Sequence, residues 1–375
     1  MTQAQAGINP PASADTFVMQ LLRDSRMIIV SGPGGVGKTT SAAALGVLAA
    51  RQFSRRVLVL TVDPARRLAT ALGLPALGNT EVPVHVDDAL GTLSMAMIDT
   101  KSSWDDMVRR HAPDASTRDR VLANDLYKTL TSRFVHSHDY VVTERLFDAH
   151  EGGDYDLVIV DTPPSRSALS VLDAPRRMEQ FFTSRLLKLL TAPTQSRLLT
   201  IASRPFFIVA DRILGAAFLS DIAEFFTLFR TMEGPFVSRA RRVNALLSSP
   251  STAYVVVTSA ESVAMQEAGY LVDELRRRNH LLAAVVANRL LPAALAAGAD
   301  VRASVLEQHP DAAVRPLAFA EQEIANVAVR QAAALSRMNH WGVPIVRGES
   351  RRGDITDVQS LLALGQAFSV QGTHD

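Results

Sequence analysis

Ser31-Gly32-Pro33-Gly34-Gly35-Val36-Gly37-Lys38-Thr39-Thr40 is the stretch from which the rest of the chain can be read. It follows the apolar run that begins at Met27, and the pattern from Thr39 to Gln52 after it predicts a helix. A strand, then G-x(4)-G-K-[ST], then a helix is the arrangement of a phosphate-binding loop. Glycines let the backbone curl until successive N–H groups converge on an anion, and the helix adds the positive end of its dipole. On this reading Gly32, Gly34, Gly35, Val36, Gly37 and Thr40 belong to the cradle. Lys38 reaches the β and γ phosphates of a nucleotide, and the Thr39 hydroxyl ligates Mg²⁺. The plain alternative, a glycine-rich turn that binds nothing, has to explain strand, glycines, lysine, threonine and helix all in register.

Further short apolar runs lie at Val57–Val62, Leu93–Ile98, Leu157–Val160, Tyr254–Thr258 and Ala283–Ala287. Most are continuous rather than alternating, as strands covered on both faces are, and helical patterns such as Glu261–Asn279 separate many of them. That alternation predicts an α/β fold with a doubly wound, mostly parallel sheet. Two of the runs lead to acids. Leu157–Val160 ends in Asp161, placed to hold a metal-bound water beside the loop; capping the next helix is its plain alternative. Val57–Val62 leads to Asp63, either a residue that orients an attacking water or an Asp-Pro turn.

Residues 101–150 and 173–245 break the alternation with helical patterns, and the second block holds nine of the fifteen phenylalanines. Arg204, Asp211, Arg212, Asp221 and Glu224 interrupt every apolar span long enough to cross a bilayer, so the block reads as amphipathic helices in a helical subdomain. The expected organisation is a disordered leader over 1–13, a main domain over 14–340 with the subdomain inserted, and a tail over 341–375 with one short helix. Across 375 residues, 39 basic and 38 acidic side chains leave a net charge of +1, which argues against nucleic-acid binding through bulk charge. Cysteine is absent, so disulfides and thiolate chemistry drop out. The N-terminus has neither the basic start nor the apolar core of a signal peptide, and the expected location is the cytoplasm, peripheral to membranes at most.

The loop, the Asp63-Pro64-Ala65 stretch and the Asp161-Thr162-Pro163-Pro164 turn together resemble the arsenical-pump ATPase family. That family includes the guided-entry ATPases that deliver tail-anchored membrane proteins, and it belongs to a class of dimeric P-loop NTPases with a deviant Walker motif. Met97-Ile98-Asp99, Val286 to Pro292 and Arg315-Pro316-Leu317 extend the likeness over roughly residues 26 to 320. The resemblance implies ATP hydrolysis with Mg²⁺ in a dimer that opens and closes. It implies that Asp63 positions water with Lys38 as catalytic partner, that Asp161 opens switch II, and that Asn288 reads adenine while Pro316 and Leu317 pack on the base. It also implies that the helical block shapes an apolar groove for a membrane-protein or lipid-like client; aromatic residues at helical spacing serving as core are the plain alternative.

Departures from the family pattern carry their own expectations. Pro33 stands where the class has a lysine that crosses the dimer, and proline has neither charge nor N–H. Slow hydrolysis, substitution by an arginine such as Arg66 or Arg67, and a heterodimer with a lysine-bearing paralogue in place of a homodimer all remain open. Arg166 and Ser167 replace the usual glycine and histidine of switch II, which stiffens that segment. Without cysteine, metalloid binding and a zinc clamp are excluded. An ATP-binding scaffold subunit and a partition-type ATPase are the alternative functions.

Overall fold

Runs of valine, isoleucine and leucine too apolar to face water on either side build the centre of the sheet. β1 (Met27–Ser31), β5 (Leu157–Asp161) and β6 (Thr252–Ser259) are buried at every position. The computed structural model that gives these elements describes residues 14–62, 69, 72, 74, 78–133, 135–184, 224–351 and 353–370. Among them β2 (Arg56–Thr61), β3 (Val82–Val84), β4 (Thr92–Met97), β7 (Leu282–Leu290), β8 (Ile345–Glu349) and β9 (Ser369–Val370) complete a sheet of nine strands. The order is β3-β4-β2-β5-β1-β6-β7-β8-β9. Every neighbouring pair from β4 across to β8 is parallel, and β3 and β9 close the two edges antiparallel.

This is the expected mostly parallel α/β sheet, with its carboxyl ends gathered on one edge. In register, Asp161 of β5 lies beside Val30 of β1 on one side and Thr61 of β2 on the other. The helix Lys38–Gln52 is buried along its length from Ser41 to Ala50, because its side chains are mostly too small to hold neighbours away. At Gly46 an added Cβ would stand 2.5 Å from Val59 Cγ2, so sheet and helix meet closely there.

The C-terminal segment corrects the expected organisation. Residues 341–375 were expected to form a tail outside the main domain, but β8 and β9 extend the sheet itself. The helix Val358–Gln366 packs on Lys38–Gln52, where a Cβ at Gly365 would fall 2.8 Å from the Ala44 carbonyl oxygen. The physical reason is burial: Leu361 is wholly enclosed, and Ile345 and Val346 are buried beside β7. The expected leader, 1–13, lies outside the described residues.

Contacts divide the chain into two compact units. One takes the described residues up to Met97, Ala149–Ala168 and those from Ser248 onward; the other takes Ile98–Asp148 and the described part of Leu169–Leu247. The second unit is helical, with Thr100–His111, Ala115–Ala123, Asp125–Arg133 and Glu233–Leu247 among its elements. Its centre is aromatic. The Phe182 ring stacks on Phe229 and Phe236 at centroid distances of 5.3 Å, and Phe225 stacks on Phe229 at 5.2 Å. All four are buried, together with Trp104, Tyr127 and Tyr140. These phenylalanines form a core, the plain alternative to a client groove; Phe206, Phe207 and Phe218 lie outside the described residues.

Candidate nucleotide-binding site

The loop between β1 and its helix holds its shape because two glycines occupy places that no side chain fits. At Gly32 a Cβ would stand 2.0 Å from the Val257 carbonyl oxygen of β6. Gly37 caps the following helix at φ 96°, a left-handed conformation costly for any L side chain, and a Cβ there would meet Asn288 Nδ2 at 2.5 Å. On the open side the situation reverses, since a Cβ at Gly34 or Gly35 would meet nothing within 4 Å. The loop therefore packs tightly where it touches the fold and is bare where an anion would enter.

Lys38 is buried, and its Nζ donates to the Pro33 carbonyl oxygen at 2.8 Å. The ammonium is thus already folded back across the loop that precedes it. Thr39 Oγ1 donates to Asp161 Oδ2 at 2.5 Å, and Thr61 Oγ1 donates to the same oxygen at 3.0 Å. Asp161 is only 1% exposed, so this carboxylate is held at the end of β5 by two threonines from neighbouring elements. Behind it the Thr162 hydroxyl donates to the Val30 carbonyl oxygen at 3.0 Å and stands 2.9 Å from Ser31 Oγ. The Ser165 amide donates to the Gly32 carbonyl oxygen at 3.1 Å, and the Ser165 hydroxyl is buried with no hydrogen-bond partner among the described residues.

These residues fit a nucleotide with Mg²⁺. The bare glycine rim suits phosphate oxygens, and one hydroxyl beside one carboxylate suits an ion that keeps waters and phosphate oxygens in most of its coordination shell. Among the described residues no group of three or more His, Cys, Asp or Glu side chains forms a protein-only metal cage.

Asn288 has a second task beyond the base contact expected of it. Its Nδ2 donates to the Val36 carbonyl oxygen at 2.8 Å, and its Oδ1 lies 2.8 Å from where a Gly348 Cβ would be. The amide is buried between loop and β8, bracing the loop with one of its N–H groups. The next residue, Arg289, has φ 58° where the β7–β8 register shifts between Ala287 and Leu290. Asn288 and Leu290, two residues apart on the strand, are both buried, and Arg289 between them is exposed.

Thr40 follows Thr39 in the helix and is half-buried. Pro316 and Leu317 open the helix Pro316–Met338 in exposed positions, and that helix packs on Ala299–Glu307. Asp63, Arg66 and Arg67 lie outside the described residues. The structure thus brings Gly32 to Thr40, Asp161 and Asn288 together. It adds Thr61, Ser165 and Gly348, which no motif announces. The only sequence signal for Thr61 is its place at the end of β2, two residues before Asp63.

The loop and the strand that ends in Asp161 both lie in the part of the chain that matches a known family. Residues 25–309 match the anion-transporting ATPase family. The chain belongs to that family. It is similar to ATPase ARSA2 of Chlamydomonas reinhardtii, 27% identical over 259 residues, which are 68% of this chain and 65% of that protein. A putative arsenical pump-driving ATPase 1 of Aquifex aeolicus is 25% identical over 284 residues, covering 71% of this chain and 64% of that one. ATPase get3 of Aspergillus terreus is 25% identical over 270 residues, covering 71% and 73%. The chain thus spans slightly less than two thirds of the first two relatives. No helix among the described residues is long and apolar enough to cross a membrane.

Proposed function

We propose that this family member is a Mg²⁺-dependent ATPase whose turnover drives a dimer between open and closed states. The observation that carries the proposal is the meeting of Thr39 and Asp161 at 2.5 Å beside the bare rim of Gly34 and Gly35. The loop N–H groups and Lys38 bind and neutralise the β and γ phosphates, which requires Lys38 to exchange the Pro33 carbonyl for phosphate oxygen. Thr39 and Asp161 would hold Mg²⁺, which neutralises charge on the phosphates when bound. Asp63 is assigned the orientation of the attacking water, on the family resemblance. Asn288 keeps the loop in shape, and its remaining N–H and Oδ1 are the groups left for the adenine edge, with Pro316 and Leu317 packing on the base.

Dimerisation rests on the same resemblance, and Phe182, Phe225, Phe229 and Phe236 give no support to an apolar client surface, being buried against one another. One observation favours a second reading, an ATP-binding scaffold subunit: Pro33 removes the cation that the class sends across the dimer. Phosphate release by the purified chain separates the two. Turnover that requires Mg²⁺ and stops on chelation with EDTA supports the ATPase. Tight ATP binding without turnover supports the scaffold.

A further inference from the structure

Pro33 leaves the loop with one side-chain cation, Lys38, to face a triphosphate of several negative charges. Four residues past the buried carboxylate of Asp161, the helix Ser165–Thr183 begins, and its first two residues are Ser165 and Arg166. Ser165 is fixed to the loop by its amide bond to the Gly32 carbonyl, directly before Pro33. Arg166 is therefore one residue from a backbone contact with the loop, and it carries a long side chain at that point.

Arg166 is exposed and makes no hydrogen bond or ion pair among the described residues. It places a cation in the first turn of a 19-residue helix that has no acidic residue there, the end at which the helix dipole disfavours positive charge. Among the described residues nothing offsets that placement. An anion arriving at the loop would, and the planar fork of a guanidinium matches phosphate oxygens in a way a point charge does not.

We propose that Arg166 is a catalytic residue that binds the terminal phosphate of the nucleotide held by its own chain's loop, supplying the charge that Pro33 lacks. The proposal rests on the nucleotide reading above. Arg166 neither gives nor takes a proton. It neutralises charge while the water oxygen bonds to the γ phosphorus, the β–γ bridging oxygen leaves with ADP, and the water protons pass to phosphate and solvent. Arginine here, where the family pattern has glycine, trades switch flexibility for a fixed cation.

The test is calorimetric titration of the full chain with Mg²⁺ and either a non-hydrolysable ATP analogue or ADP. The chains compared are the wild type, Arg166→Ala and Arg166→Gln, with a melting temperature measured for each. Both variants are expected to weaken analogue binding about ten-fold or more, to change ADP binding less than about two-fold, and to melt at or above the wild-type temperature. Unchanged analogue binding, equal loss for both nucleotides, retention by Arg166→Gln, or a lowered melting temperature would each overturn the assignment. A wild type that binds neither nucleotide would overturn the nucleotide reading itself, which distinguishes the two failures.

Discussion

A single oxygen or methyl group decides much of this site. At Gly32 the space for a Cβ is already taken by the Val257 carbonyl, so Gly32→Ala must push the loop off β6. It is expected to abolish ATP binding and to cost about 1–3 kcal/mol of stability as an overpacking change, read from nucleotide titration and chemical denaturation. Asn288→Ala deletes the amide that holds Val36 and leaves that carbonyl buried and unpaired. A loss of about 1–3 kcal/mol follows, with weaker nucleotide binding. Arg289 is a different case. Of the three non-glycine residues with positive φ among those described, Asp88 and Asn279 are of types that tolerate it, and Arg289 is not. Arg289→Gly relieves about 1–2 kcal/mol of left-handed strain against a cost of about 0.5–1 kcal/mol for glycine in a strand, so a small net gain in stability is expected in the same denaturation experiment. Much of this was legible in the sequence, since the loop glycines, Lys38, Thr39 and Asp161 stand where the motif puts them. The Asn288–Val36 bond, the Gly348 contact and the Ser165 tie were not, because each joins residues far apart in sequence and depends on a strand order that no local pattern encodes.

At the scale of elements, the central strands announce themselves because burial on both faces demands continuous apolar sequence, as in Met27–Ser31 and Leu157–Asp161. The strands toward the two edges are quieter. β3, at one edge, is three residues with a central proline, and β8, next to the other edge strand β9, reads Ile-Val-Arg-Gly-Glu, where half-buried positions let charge interrupt the run. That is why the C-terminal segment looked like a tail. Its place in the sheet makes a direct prediction: ending the chain at residue 341 strips β8 from β7 and Val358–Gln366 from the helix that carries Lys38 and Thr39. Loss of cooperative unfolding and of nucleotide binding is expected, measured by thermal melting and titration. A shortened chain that melts as sharply as the full one would place these elements outside the fold. A gentler probe is Gly365→Leu, whose side chain must displace the Ala44 backbone.

Across the whole molecule, acidity acts on buried histidines of both units before it reaches the strongest-held carboxylate. In the helical unit, His111 is pushed down to about 4 by burial first, then by the Arg239 and Arg110 guanidinium groups, with Asp148 opposing. A histidine held neutral in the folded state but free to protonate when unfolded stabilises fully above its ordinary pKa near 6.5, and that stability is lost as pH falls from there toward 4. At the foot of the sheet, Asp156 is held at about 2, chiefly by its hydrogen bonds from Arg56, so its contribution survives until pH drops below about 4 and fades toward 2. An acid titration is therefore expected to show a first loss of stability as pH falls from about 6.5 toward 4, to which the buried His150 of the sheet unit adds in the same sense, and His111→Phe is expected to reduce that first loss. Every functional statement at this scale depends on what the loop holds. Titration calorimetry with Mg·ATP, on the wild type and on Lys38→Ala, tests that most directly. One saturable nucleotide site per chain that disappears with the lysine is the predicted result; no heat from the wild type, or binding unchanged without Lys38, would contradict it.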